Sequence, residues 1–259
     1  MTATPLATIA AHLDELLDVA RTPDYPPALN GIQVQHTGPV RRIAAAVDCS
    51  QRTIDAAAAS GANLLLVHHG LFWGGLQPLT GPHFARVRAL ITHDIALYSA
   101  HLPLDAHAAF GNSRLLAGEL GLSVTGGYAR HQQIDCGVRG ESDLDTTALV
   151  DRVHAWAAPW GHHTVASAIP EGHRTRRWAI CSGSGAQVET LREAYATGVD
   201  TLIVGEGPHW SAVDAPERGL VIVYAGHYAT ETLGVRALAA HLGARFALPW
   251  DLIHAPTGL

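Results

Sequence analysis

Three groups of residues have the types and the spacing to do chemistry. "LLLVHHG" (64–70) ends an apolar run in two adjacent histidines, His68 and His69. "HLPLD" (101–105) sets His101 four residues before Asp105, and "HYATE" (227–231) sets His227 four residues before Glu231. Imidazole and carboxylate donors without thiolates suit Zn, Fe or Mn. Two such ions roughly 3.5 to 4 Å apart acidify a water between them and polarise a substrate oxygen, which is hydrolytic chemistry. Adjacent side chains at the end of a strand point to opposite faces, so His68 and His69 would each serve a different ion. If "HYATETLGVRALAAHLG" is a helix, His227 and Glu231 share one of its faces. Pro103 restricts the His101–Asp105 segment to a turn or a first helical turn. A single histidine at a strand exit is commonly a hydrogen-bonded structural residue, and a single His-x-x-x-Glu is a weak signal. Three such groups recurring at strand exits point to a shared site.

The elements that must position them alternate in type. Short Val/Ile/Leu-rich runs, "IAAAVD" (43–48), "NLLLVHH" (63–69), "IALYSAH" (95–101), "WAICSG" (178–183), "TLIVGE" (201–206) and "LVIVYAGH" (220–227), are separated by helical patterns such as "SQRTIDAAAASG" and "AQVETLREAYATG", several closed by glycine. This is the pattern of an α/β protein. Residues 41–70 can be laid on 176–207, each with an arginine pair, a strand, a helix ending in glycine, a second strand and a polar exit. The echo continues from 95–105 to 220–231. It predicts two similar α/β lobes with mixed sheets flanked by helices, an internal duplication, with the metal site between them. Residues 1–125 form the expected first lobe, completed by 232–259, and 126–231 the second. In open α/β sheets ligands gather at the carboxyl ends of the strands, where the three groups fall.

Composition narrows the function. The 259 residues, 47% hydrophobic and 15% charged, suffice for a sizeable core. A formal charge of −6 provides no basic field for a nucleic-acid backbone, so nucleic acid is not an expected partner. The start lacks a secretory pattern and no run of about 18 apolar residues appears, so a cytoplasmic protein with no membrane partner is expected. Three cysteines, Cys49, Cys136 and Cys181, form no C-x-x-C pair, which argues against a disulfide framework or a thiolate zinc site. All 17 basic residues are arginine, which excludes lysine Schiff-base chemistry. The 17 histidines are no signal in themselves, because GC-rich coding favours His along with Ala, Arg and Gly. Three further features have double readings. "CSGSG" ahead of a helix is either an anion-binding turn or a tight strand-to-helix connection. Phe72 and Trp73 could wall a pocket or pack in the core. Glu206 falls at the repeat position of His69, as a site-lining carboxylate or a loop cap.

"NGIQV" (30–34), "VDCS" (47–50), "HHGLFWGG" (68–75), "YSAHLPLD" (98–105), "GSG" (183–185), "GE" (205–206) and "AGHYATE" (225–231) occur in the order seen in the proteins named GTP cyclohydrolase 1 type 2 homologues, or NIF-three-like proteins. The sequence resembles that family essentially from end to end, in its short form without an inserted domain. The resemblance implies a two-lobed α/β fold, a toroidal homohexamer and two divalent metal ions per subunit (Zn, Fe or Mn). It implies His68, His69, Asp105, His227 and Glu231 as ligands, with Glu231 bridging, His69 and Asp105 on one ion, and His68 and His227 on the other. His101 and Glu206 are the candidate proton-transfer groups. Two departures stand out: Gly70 replaces the common proline of "HHP", and "GEGPHW" keeps only His209 where two histidines often follow "GE". The expected function is metal-dependent hydrolysis of a small-molecule substrate, a nucleotide by resemblance. The alternative is a non-catalytic metal-binding scaffold or regulatory interaction protein.

Overall fold

The computed structural model describes residues 3–259 and divides them into two compact units. One runs through His107 and takes up Gly234–Ala255 again; the other comprises Ala108–Leu233 and Pro256–Leu259. The fold is mixed α/β, as the alternation predicts.

The first unit is built on a five-stranded sheet in the order Trp250–Leu252, Ile43–Asp48, Leu64–His69, Ala96–Ser99, Gly31–Val34. The first four strands are parallel, and Gly31–Val34 closes the edge antiparallel. Leu64 to Val67 are all buried, which explains their unbroken apolar run: a central parallel strand is covered on both faces. Leu65, Val67 and Leu97 pack with Ile54 and Ala57 of the helix Gln51–Ala59 and Leu90 of the helix Gly81–Thr92. Ser50 caps the first of these helices, accepting the Thr53 N–H while Thr53 Oγ1 accepts the Ser50 N–H. Such a capping box fixes where the helix leaves the strand.

The second unit carries a six-stranded sheet in the order Val124–His131, Ile134–Asp145, Arg174–Cys181, Thr201–Val204, Val221–Tyr224, Val165–Ala166. The three strands from Arg174 to Tyr224 are parallel, in sequential order, as are the three from Ile43 to Ser99. One face of this sheet packs around Trp178, Ile180, Ile203 and Val223; the other buries Ala179, Leu202 and Val204.

The boundaries differ from those read in the sequence. The sequence pattern assigns residues 108–125 to the first lobe, but the helix Asn112–Glu119 buries Leu116 and Ala117 in the core formed by Trp178 and Val223. The later division falls inside the helix His227–Phe246, after Leu233, whose side chain joins that same core. Among the described residues no helix is long and apolar enough to cross a membrane.

Candidate metal centre

His68 and His69 are the last two residues of the strand Leu64–His69. Strand alternation alone would turn their side chains to opposite faces, but at the strand end the two rings lie 4.8 Å apart, and each meets its own acceptor. His69 lies opposite Asp48 in the parallel register, and His69 Nδ1 is 2.8 Å from Asp48 Oδ1. His68 is fully buried, and its Nδ1 lies 2.8 Å from the carbonyl of Ala100. A carbonyl or carboxylate oxygen only accepts, so both imidazoles donate from Nδ1, which leaves Nε2 as the nitrogen that can face a metal.

His101 follows the strand Ala96–Ser99 and caps the short helix Leu102–Asp105. Its Nδ1 donates to Asp24 Oδ1 at 2.9 Å, and its backbone N–H to Asn30 Oδ1 at 2.7 Å. Asp24 also accepts from Asn30 Nδ2 at 2.8 Å and from the Leu102 N–H at 2.9 Å. Burial alone would raise the Asp24 pKa, but His101 and these donors hold it below the ordinary carboxylate value. His68, His69 and His101 converge, each offering a ring nitrogen within 4.8 Å of the others. Asp105, one helical turn beyond His101, brings Oδ2 to 3.4 Å from His68 Nε2.

In the second unit His227 opens the helix His227–Phe246, so the His-x-x-x-Glu spacing becomes a shared face, with Nε2 3.1 Å from Glu231 Oε2. Glu231 is only 4% exposed. Glu206, two residues past the strand Thr201–Val204, takes the other side of the ring, with Oε1 2.8 Å from His227 Nδ1. Ser184 Oγ donates to the same carboxylate oxygen at 2.9 Å. Burial lowers the His227 pKa, but Glu231 and Glu206 on its two nitrogens outweigh that and raise it to about 9. Glu206 thus stands to His227 as Asp48 stands to His69.

Gly183 explains why "CSGSG" needs glycine here. It has φ +62°, and a Cβ on it would collide with Glu231 Oε1. Its N–H donates to Thr230 Oγ1 at 3.0 Å. The turn cradles the Glu231 carboxylate, and the next helix begins only at Val188. Phe72 packs toward the core of its unit, whereas Trp73 turns to the histidines.

These arrangements fit divalent metal. His68, His69 and His101 have Nδ1 held by a carbonyl or carboxylate, the pattern by which proteins orient imidazoles and raise their basicity, whereas His227 has a carboxylate on each ring nitrogen. Each unit also offers a carboxylate beside its imidazoles, Asp105 in the first and Glu231 in the second. Sequence reasoning overlooked Asp24 as an orienting group and did not single out Asp48 from within "VDCS".

Comparison with known proteins places the chain in a family. A Deinococcus radiodurans protein named GTP cyclohydrolase 1 type 2 homolog is 44% identical over 251 residues, covering 95% of this chain and 92% of its own. A Pseudomonas aeruginosa protein of the same name is 37% identical, covering 97% of each. Among solved structures, TTHA1606 from Thermus thermophilus superposes with TM-score 0.86 at 36% identity, covering 99% of this chain and 100% of that one. The ybgI protein, described as of unknown function, superposes with TM-score 0.88 at 32% identity over 100% of both chains. The Duf34/NIF3 (NGG1p interacting factor 3) profile matches residues 4–255, and this chain belongs to that family.

Proposed function

We propose that this protein is a divalent-metal-dependent hydrolase of a small polar substrate, a nucleotide by analogy with the names of its relatives. The observation that carries the reading is the repeated orientation of three imidazoles, His68, His69 and His101, each with Nδ1 on an oxygen acceptor and Nε2 left to face a metal or a reacting group, together with His227 held between Glu206 and Glu231. Two ions per chain would draw their ligands from His68, His69, Asp105, His227 and Glu231. Bound divalent ions supply Lewis acidity, lowering the pKa of coordinated water and polarising a substrate oxygen.

The chain's own residues do the remaining work. Asp48 and the Ala100 carbonyl accept from Nδ1 of His69 and His68, which leaves Nε2 of each as the nitrogen that would face a metal. Asp24 holds His101 with Nδ1 protonated, leaving Nε2 as the atom that takes a proton from the reacting water or returns one to the leaving group. Glu206 orients His227 and accepts from Ser184, which places it behind a ligand. We assign proton transfer to His101 and a positioning role to Glu206. A homohexamer remains part of the proposal, on family grounds.

Metal analysis of protein purified without chelator tests the reading, followed by a hydrolase screen with GTP, other nucleotides and phosphodiesters. Two ions per chain, and turnover lost both on chelation and in Asp105→Ala with assembly intact, is the expected result. Metal content near zero at high purity, or full turnover in Asp105→Ala, overturns it. Bound metal without turnover, with Asp105→Ala changing only assembly, favours the scaffold.

A further inference from the structure

We infer that the indole N–H of Trp73 is a substrate-reading group beside the metal ligands, donating to a ring nitrogen or carbonyl of a planar heterocycle. The inference deepens the hydrolase reading and rests on it.

Trp73 follows the histidine pair in the loop that leads to the helix Gly81–Thr92. Its ring stands edge-on to His101, with centroids 4.7 Å apart at 81°, and to His69, 5.8 Å apart at 79°. Its Nε1 is buried and has no hydrogen-bond partner among the described residues. An indole nitrogen only donates, and a buried donor left without an acceptor costs free energy, so natural structures rarely keep one without reason. The neighbouring imidazoles do not supply the acceptor: the Nδ1 atoms of His69 and His101 are themselves donors to Asp48 and Asp24, and their Nε2 atoms serve metal binding or proton transfer.

The core does not explain the placement either. Phe72 is the residue of this loop that packs inward, edge-on to His83. Trp73 instead turns its indole to the site, where a phenylalanine would fill similar space without a donor to satisfy. The second aromatic ring near His101 is Tyr25, 6.3 Å away and 53% exposed, which leaves ring surface on which a flat ligand can stack. A donor and a stacking surface together select a planar heterocycle that carries an acceptor, over an isolated sugar phosphate. A site built to hydrogen-bond one atom of its substrate rejects analogues lacking that atom, because its own polar group is then stranded.

The test uses the zinc-loaded full chain, with guanosine, adenosine and ribose 5-phosphate as probes in calorimetry, comparing wild type with Trp73→Phe. Guanosine or adenosine should bind wild type, and Trp73→Phe should weaken that binding about tenfold. Zinc content and ribose 5-phosphate affinity should stay unchanged. In the ¹⁵N spectrum, the indole resonance missing from Trp73→Phe should be the one that moves downfield when nucleoside is added to wild type. This second measurement stands even if the variant folds poorly. A chain that takes up zinc but binds no nucleoside, binds it equally well in Trp73→Phe, or leaves that resonance unmoved, overturns the inference alone. A chain that takes up no zinc overturns the hydrolase reading and the inference with it.

Discussion

Replacing Gly183 by alanine separates two penalties that glycine avoids at this position. Its φ of +62° lies in the left-handed region, which costs a residue with a Cβ about 1–2 kcal/mol. The same Cβ would also strike Glu231 Oε1 and come within 3.5 Å of His227 Nε2. Glu231 is nearly buried and has little room to yield, so overpacking adds about 1–3 kcal/mol. Gly61 is the control: its φ is +73°, and a Cβ there meets nothing within 4 Å. Gly61→Ala should therefore lose only the backbone term and keep wild-type zinc affinity. Gly183→Ala should lose both and bind zinc about 10–100-fold more weakly, the usual effect of disturbing a ligand's support. Thermal unfolding of the metal-free proteins and competitive zinc titration read the two quantities separately. Equal stability losses with unchanged zinc affinity in Gly183→Ala would refute the assignment of Glu231 as a supported ligand.

Other outcomes follow from the same geometry. Asp48→Ala removes the acceptor that fixes the His69 tautomer and should weaken metal binding about 10–100-fold, with little change in the circular dichroism spectrum. In metal-free protein the His227 pKa is raised from the ordinary 6.5 to about 9. Its stabilisation, about 3 kcal/mol in full, is present below pH 6.5 and lost as pH rises through 9, which denaturant titration at several pH values would show. Because metal must displace that proton, apparent zinc affinity should rise about tenfold per pH unit below about 9, measurable with a chelator-buffered indicator. Saturation at about 100 times the dissociation constant should stabilise the fold by about 2.7 kcal/mol, a gain that added chelator removes from the melting curve.

The ligands and the architecture were legible for different reasons. The unbroken burial of Leu64–Val67 turns directly into a run of leucines, and the two histidines announce its exit. The His227–Glu231 spacing becomes a helix face because nothing in "HYATE" breaks a helix. Asp24 was not legible: it lies in "TPDYPP", 77 residues before His101, and only tertiary folding makes it that imidazole's acceptor. The lobe boundary was misplaced for a similar reason. Leu116 and Ala117 have an apolar pattern that suits either core, and the pattern does not say which sheet they will cover. Glycine-rich "CSGSG" invited a phosphate-loop interpretation because spacing alone does not distinguish a turn that holds an anion from outside from one that makes room for a carboxylate of the same chain.

The parallel register that sets Asp48 beside His69 acts as a gauge on chain length. One residue inserted within Ile43–Asp48 would move the carboxylate out of reach of the imidazole and reverse which face it occupies. Insertions between Gly74 and Thr80, in a largely exposed connection outside the sheet, would leave that pairing untouched. Length is thus fixed within the strand that carries Asp48 and free in the loop that follows the histidine pair.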